Sequence, residues 1–323
     1  MRRGHEVPLP PDKTFGELCD YWLEKRVPHK RSGKHDKRII SRHLRPAFGD
    51  RRLRELTVED TDAFTNDQAP LDPKTIHNHL TLFIAMMHVA VDLRWLERVP
   101  GVKKPSVLLF DKDFSFLRSD DEVGRFLRAA VAEDEMVLVL YATAVYTGMR
   151  AGELAGLRWE AVSFERRLFT VARSFDGPTK SGEVRHVPML DPLLAPLRAW
   201  RLRHGGDLVF TNRDGRMLQR SSRVFQEVLM RVLDRAGLPR RPNGRGYVRF
   251  HDLRHTFASH WMMRGGDLSK LQRILGHASP IMTNRYAHLA PEAYTADHGR
   301  LTDLCPTGTA VMALPVTAPP PRS

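Results

Sequence analysis

Apolar positions in the first hundred residues recur every three or four residues, the spacing of one helical face. Thr14 begins the first such run, and Glu17, three residues later, completes the capping box that marks a helix start. The next run, 37–47, predicts a second helix, ended by Pro46 and the Phe48-Gly49 pair. A longer stripe over 74–92 predicts another helix. This part of the chain therefore reads as a small all-helical unit.

Beyond residue 115 the pattern changes and includes both periods. The nearly continuous apolar run 136–147 predicts a buried helix, whereas 168–171 and 184–189 predict two strands joined through a turn. A third short strand is expected at 208–210. Helical spacing returns further on, over 191–203, 221–236, 252–264, 267–275 and 279–288.

The predicted fold is mainly α, with a small β-sheet confined to the C-terminal domain. A stretch with prolines, a glycine and lysines separates the two patterns and is typical of a linker. The predicted organisation is a loose leader at 1–13, a helical domain at 14–98, a linker at 99–115, a second domain at 116–304 and a disordered tail at 305–323.

Charge narrows the class of partner. The formal net charge is +13 and the pI is about 10.1, a balance that favours a polyanion such as nucleic acid over a merely basic surface. Cys19 and Cys305 lie far apart and form no CxxC pair, so we expect neither a disulfide nor a zinc ribbon, and an intracellular setting. The chain contains no apolar run of about 18 residues, the length that a membrane span needs, so no membrane span is predicted.

The positive charge is concentrated near the N-terminus. Residues 25–54 hold 12 Lys or Arg against two acidic residues, interleaved with the apolar positions of a helix. Such a run is often only a solvated face, but here we expect contacts to the DNA backbone, which give affinity with little sequence information. The candidate DNA-binding residues, with others further along, are Lys30, Arg31, Lys34, Lys37, Arg38, Arg42, Lys74, His77, Lys103 and Lys104.

The candidate chemistry lies in the second domain. His251, Arg254, His277 and Tyr286 fall within one short stretch, and Arg150 precedes them in the run TGMRAGEL. Two guanidiniums can clamp the non-bridging oxygens of a phosphodiester while a tyrosine attacks the phosphorus. The tyrosine needs a base or a positive field, because its ordinary pKa is about 10.

Other interpretations of these residues were open. His251, His255 and His277 could bind a metal, although no carboxylate or cysteine completes the set and an arginine would repel the cation. Any one histidine alone is more often a core residue. Tyr294 competes with Tyr286 as the nucleophile, and Glu153 is expected to orient Arg150 or cap its helix.

Five motifs in a fixed order resemble those of the tyrosine recombinases of the phage integrase type. They are TGMRAGELAGLRW at 147–159, TKSGEVRHVPML at 179–190, HDLRHTFAS at 251–259, LGHAS at 275–279 and TNRYAHL at 283–289. The segments TFGELCDYW and PKTIHNHL resemble the family's helical core-binding domain. The resemblance spans about residues 14–304.

The resemblance implies a role for each matching residue. Arg150 and Arg254 would clamp the phosphate, with His251 beside the second arginine, and His277 would donate a hydrogen bond to the phosphate. Tyr286 would be the nucleophile. Lys180, on a predicted β-hairpin, would protonate the departing 5′ oxygen, unless it is an ordinary surface lysine.

The family resemblance also implies the reaction and the partners. The expected function is site-specific DNA recombination through a 3′-phosphotyrosine link and a Holliday junction, with no metal or other cofactor. Double-stranded DNA, a homo-oligomer that becomes a tetramer in synapsis, and an accessory DNA-bending protein are the partners it suggests. We expect a cytoplasmic protein that acts at the bacterial nucleoid, with no membrane contact.

Two alternative functions remain at this point. A type IB topoisomerase shares the chemistry, and a DNA-binding relative could have lost it. Since about 13 residues precede the first predicted helix, no additional arm-binding domain is expected. Residues 287–304 would suit a C-terminal helix that packs on a neighbouring subunit or on its own domain.

Overall fold

The computed structural model describes residues 12–30, 32–106, 114–175, 177–178, 182–238 and 248–290. The chain divides into two compact units, 1–109 and 110–323, and the division falls inside the predicted linker. Most of the predicted leader, all of the predicted tail and the predicted site residues Arg31 and Lys180 lie outside the described ranges.

The first unit is built from helices packed around an aromatic and aliphatic core. Thr14 and Glu17 form the predicted capping box at the start of α1. Phe15 stacks on Phe83 of the longest helix, with ring centroids 5.2 Å apart. Its α-helices are α1 (Phe15–Tyr21), α2 (Gly33–Ile39), α3 (Arg45–Phe48), α4 (Val58–Asp67) and α5 (Pro73–Asp92).

The predicted end of the second helix at the Phe48-Gly49 pair is confirmed, since α3 ends at Phe48 with Gly49 as its C-cap. Pro46 itself does not end the helix. A π-helical turn, Ile40–Leu44, joins α2 to α3, and Pro46 lies in the first turn of α3. The Arg45 N–H bonds to the carbonyl of Ile40, five residues back. Because the hydrogen-bond register changes at this point, the missing N–H of Pro46 costs little. The helical path therefore runs from residue 33 to residue 48.

The second unit combines helices with a small sheet, which confirms the predicted fold class. Its apolar helix, predicted at 136–147, is fully formed and buried. The α-helices are α6 (Asp120–Val131), α7 (Glu135–Thr147), α8 (Ala151–Ala155), α9 (Asp191–Arg203), α10 (Glu227–Arg235), α11 (Asp252–Met263), α12 (Leu268–Leu275) and α13 (Pro280–Asn284).

The strands β1 (Val162–Ser163), β2 (Leu168–Val171) and β5 (Arg185–Pro188) form an antiparallel sheet in the order β1-β2-β5. Strands β3 (Arg173–Ser174) and β4 (Gly177–Pro178) form a separate hairpin. The strands predicted at 168–171 and 184–189 correspond to β2 and β5, which pair as expected. The strand predicted at 208–210 does not form. Leu208 makes only an isolated bridge to Arg158, and the apolar side chains of Val209 and Phe210 are buried in the core.

The turn that carries Arg150 depends on close backbone contacts. Gly148 ends α7 with φ of 64°, a conformation that favours glycine. A Cβ on Gly152 would lie 2.4 Å from the hydroxyl oxygen of Ser174 and 2.7 Å from the Phe175 ring. Only a residue without a side chain lets the β3–β4 hairpin pack this tightly on α8. Among the described helices, none is both long and apolar enough to span a membrane.

Candidate active site

Arg150 lies at the N-terminus of α8 and is the more exposed of the two predicted clamp arginines. Its side chain is 30% exposed, and its guanidinium Nη1 donates to Glu153 Oε1 at 2.9 Å. Its backbone N–H donates to Glu153 Oε2 at 2.8 Å. The expected role of Glu153 in orienting Arg150 and capping its helix is therefore confirmed at the level of contacts.

Arg254 lies on the first turn of α11. It is 3% exposed, and its Nη1 donates to the carbonyl of Gly148 at 2.7 Å while Nη2 donates to that of Leu275. Burial, followed by the charge of Arg150, lowers the pKa of Arg254 to about 9. The group therefore stays charged at pH 7, and its positive field adds to that of Arg150.

His277 follows the left-handed Gly276 that ends α12. Its Nδ1 lies 2.9 Å from the hydroxyl of Thr283, so Nε2 is the ring nitrogen that remains to face a ligand. Desolvation, followed by the charges of Arg254 and Arg150, lowers the pKa of His277 to about 3. The ring is neutral at pH 7, and one bearing its proton on Nε2 can donate a hydrogen bond.

His251 precedes α11 and reaches solvent, although surrounding protein atoms remove much of its hydration. That desolvation, followed by the charge of Arg254, lowers the pKa of His251. Arg150 also contributes. Arg150 and Arg254 thus lie close enough to His251 and His277 to lower the pKa of both rings.

Tyr286 is buried in the described structure, with 1% of its surface exposed. Its hydroxyl lies 2.6 Å from Nδ1 of His255. Burial raises the pKa of Tyr286 to about 12, although the charges of Arg285 and Arg254 act in the opposite direction. The nucleophile predicted from the sequence is thus protonated and out of reach of a phosphate in this state.

His255, the hydrogen-bond partner of Tyr286, entered the interpretation of the sequence only as a possible metal ligand. It is buried on α11, one position after Arg254, and burial together with the charge of Arg285 lowers its pKa to about 3. Phe114 completes the enclosure, with its ring centroid 5.0 Å from that of His255 and 5.2 Å from that of Tyr286. No spacing rule links 114 or 255 to 286, because the contacts arise only in the folded domain.

Sequence reasoning also missed Arg185 on β5. Both of its terminal nitrogens donate to the Glu153 carboxylate, at 3.0 and 2.7 Å. Burial alone would raise the pKa of Glu153, but the hydrogen bonds and charge of Arg185, together with Arg150, outweigh it and lower the pKa. Glu153 is therefore an anion shared by two arginines.

Two of the predicted site residues and one alternative nucleophile lie outside the described ranges. Lys180, Arg31 and the competing nucleophile Tyr294 are not described, and the C-terminal helix expected at 287–304 is described only to residue 290. Within the described residues, no group of three or more His, Cys, Asp or Glu side chains could hold a metal ion.

Several predicted DNA-binding residues share one surface of the first unit. Lys34, Lys37 and Arg38 on α2 and Arg42 on the π-helical turn are exposed, and their spacing of three and four places them on neighbouring positions of one helical face. Lys74, Lys103 and Lys104 are also exposed, whereas His77 is half-buried with Nδ1 3.2 Å from the carbonyl of Pro105.

Lys30 differs from the other predicted DNA-binding residues. Its ammonium group lies 2.7 Å from the buried carboxylate of Asp36 and 4.9 Å from the Trp22 ring centroid. The indole N–H of Trp22 also donates to Asp36, at 3.1 Å. These contacts make Lys30 part of the packing between α2 and the preceding helical segment. Its ammonium group is therefore less available to bind a DNA phosphate.

Comparison with known proteins follows the same division of the chain. Residues 118–293 match the model of the phage integrase family, and residues 14–68 match that of the phage integrase N-terminal SAM-like domain. Tyrosine recombinase XerC of Xylella fastidiosa (strain M23) is 31% identical over 229 residues, which cover 68% of this chain and 70% of the relative.

Two solved structures share the fold. The Tn1549 transposon integrase in complex with a circular intermediate DNA has a TM-score of 0.71 and 19% identity, and the match covers 89% of this chain and 99% of that one. The lambda integrase tetramer bound to a Holliday junction has a TM-score of 0.67 and 18% identity, covering 86% and 84%.

Proposed function

Because the chain belongs to the phage integrase family of tyrosine recombinases, we propose that it cuts and rejoins DNA at specific sites with Tyr286 as the nucleophile. The observation that carries the proposal is the convergence of Arg150, Arg254 and His277. Arg254 donates to the carbonyls of Gly148 and Leu275, which lie two residues before Arg150 and His277, so one buried guanidinium joins the segments that carry the other two groups. Their placement suits an anionic ligand with several oxygens.

The arginines would bind the scissile phosphate. Arg150, the more exposed, would donate to a non-bridging oxygen, and the buried charge of Arg254 would stabilise the extra negative charge of the transition state. His277 would add a neutral donor through Nε2. Since the protein supplies the positive charge itself, we expect cleavage to proceed in EDTA and without ATP.

The reaction would form one bond and break one. The Tyr286 oxygen forms a bond to phosphorus as its proton leaves, and the bond from phosphorus to the 5′ oxygen breaks. Lys180 is our proposed donor of the proton to that oxygen. A 5′ hydroxyl from another strand can then reverse the step, which exchanges strands and gives a Holliday junction when two sites react.

Attack requires a change from the described state. Tyr286 is enclosed by His255 and Phe114, and its pKa is raised to about 12. We therefore propose that DNA binding opens this enclosure and brings the hydroxyl to the phosphate. The arginine field would then favour the phenolate, reversing the effect of burial.

The partners follow from the charge and the relatives. We propose that the exposed basic face of α2, with Lys74, Lys103 and Lys104, contacts double-stranded DNA. A homo-tetramer on two DNA sites is proposed because the related lambda integrase forms one on a Holliday junction. An accessory DNA-bending protein remains a candidate partner.

The clamp assignment is tested by Arg150→Ala. Covalent adduct formation should fall by about 10²-fold or more, the usual cost of a lost transition-state donor, while DNA binding stays within about threefold. Arg173→Ala, an exposed arginine on β3, serves as the matched control and should cleave normally. Near-normal cleavage by Arg150→Ala would reject the clamp.

The alternative function is tested on the wild type. Relaxation of supercoiled DNA without exchange between sites would favour a topoisomerase.

A further inference from the structure

Arg185 on β5 joins three separate elements of the second unit. Its Nη1 and Nη2 donate to the two oxygens of Glu153 on α8, and its Nε donates to the carbonyl of Ile274 on α12 at 2.7 Å. The side chain is 11% exposed. A guanidinium can make this fork-shaped set of contacts because its donors are fixed in one plane.

On the α8 side, Arg185 controls the charge next to Arg150. The buried Glu153 carboxylate accepts from the side chains of both arginines. With Arg150 as its sole cationic partner, Glu153 would neutralise it. The second guanidinium leaves the three side chains with one net positive charge, and it fixes the face of Glu153 against which Arg150 rests.

On the α12 side, the stem of Arg185 passes the backbone next to His277. A Cβ on Gly276, which has φ of 64°, would lie 2.8 Å from Cδ of Arg185. The hydrogen bond to Ile274 holds the last turn of α12, three residues before His277. Arg185 therefore packs against the backbone of the turn that immediately precedes His277.

We propose that Arg185 is a positioning residue for the phosphate clamp, acting on Arg150 through Glu153 and on His277 through the end of α12, without touching the DNA. The proposal rests on the proposed function, in which Arg150 and His277 bind the scissile phosphate.

A neutral phosphate analogue separates positioning from a general structural effect. Replacing one non-bridging oxygen of the scissile phosphate with a methyl group removes the negative charge that Arg150 is proposed to bind. A variant that acts through the clamp should therefore lose most of its defect on this methylphosphonate. A variant that only loosens the fold should be equally slow on both substrates.

The experiment measures single-turnover covalent adduct formation on both substrates, using a DNA site recovered by sequencing covalent adducts from cells. Arg185→Met removes the fork while keeping much of the side-chain length, Arg185→Lys keeps the charge without the fork, and Arg173→Met is the surface control. Arg150→Ala and Tyr286→Phe are measured in parallel. Circular dichroism and DNA binding identify the variants that remain folded.

With the ordinary phosphate, Arg185→Met should slow adduct formation by about tenfold to 10²-fold, less than direct loss of a clamp donor. Arg185→Lys should be intermediate, because lysine lacks the planar fork. On the methylphosphonate, both defects should shrink to about threefold or less, as should that of Arg150→Ala. If Arg185→Met does not fold, the same comparison is made with Arg185→Lys.

Equal defects on the two substrates, or no defect on the ordinary phosphate, would overturn the positioning role. Failure of the proposed function has a different signature. In that case Tyr286→Phe would still form the adduct, or Arg150→Ala would cleave the ordinary phosphate normally, whatever Arg185 does.

Discussion

The hydroxyl of Tyr286 and the ring of His255 show how burial can silence a reactive group. The Tyr286 hydroxyl oxygen and His255 Nδ1 lie 2.6 Å apart, in an enclosure completed by the ring of Phe114. Desolvation favours the uncharged form of each group, so the pKa of the tyrosine rises while that of the histidine falls. A neutral hydrogen-bonded pair is the stable result, and under the proposed function it would keep Tyr286 inactive until the enclosure opens.

This enclosure predicts slow chemical modification of Tyr286 in DNA-free protein. Because 1% of the residue is exposed and its pKa is about 12, acetylation by N-acetylimidazole should be far slower at Tyr286 than in the urea-unfolded chain. Peptide mass spectrometry measures the difference. Adding DNA to the Arg150→Ala variant should increase the modification. Equal rates in the folded and unfolded chains would show that no enclosure exists in solution.

The buried histidines predict a loss of stability in mild acid. The pKa of His255 is lowered to about 3 and that of His79 to about 4, against an ordinary value of 6.5. The unfolded chain therefore binds more protons than the folded one between these values. The free energy of unfolding should be highest above about pH 6.5 and fall below it, by about 1.4 kcal/mol per histidine and pH unit.

Urea unfolding of the wild type and His79→Phe between pH 7.5 and 5 measures this effect. The variant removes one of these titrating groups from the first unit, so that unit should lose less stability as the pH falls. An identical pH dependence in the two proteins would contradict the assignment of His79 as a buried neutral ring.

At the scale of elements, helices set by local periodicity were predicted well. The stripe at 74–92 and the apolar run at 136–147 both form the expected helices, because one buried face or full burial determines them. The helix ends at the predicted Phe48-Gly49 pair and not at Pro46, because the spacing of apolar residues does not reveal the π-helical turn before Pro46. The strand expected at 208–210 failed because short buried segments look alike in sequence.

Family motifs in the sequence identify the proposed reactive residues of the candidate site. They do not identify the residues that contact and orient them. Arg185 and His255 act on Glu153 and Tyr286, which lie 32 and 31 positions away along the chain. Neither contact follows from helical or strand periodicity. Both depend on how β5, α8 and α11 pack, so only the folded structure reveals them.

The basic face of α2 predicts a salt-dependent contribution to DNA binding. Lys34→Ala combined with Lys37→Ala should weaken binding on all sequences alike and reduce the slope of log affinity against log salt by about two, roughly one per lost phosphate contact. The control pair, Arg128→Ala with Arg166→Ala, removes two exposed charges elsewhere. Fluorescence anisotropy over a salt series measures both. Equal slopes in the wild type and the α2 variant would exclude this face.

At the scale of the whole molecule, the two units divide the work that the family performs. The helical unit carries an exposed basic face, while the second unit holds the residues proposed to bind and cut the phosphate. The net charge of +13 provides long-range attraction to DNA. We therefore propose that the sequence-independent attraction to DNA and the local chemistry belong to different units of the chain.

The most direct test of the account captures the covalent intermediate. Wild type, Tyr286→Phe and Tyr294→Phe are expressed in cells carrying candidate DNA and lysed in detergent with EDTA, and the DNA attached to each protein is sequenced. The account predicts adducts at one short shared sequence for the wild type and Tyr294→Phe, and none for Tyr286→Phe. Adducts that persist in Tyr286→Phe, or disappear only in Tyr294→Phe, would contradict it.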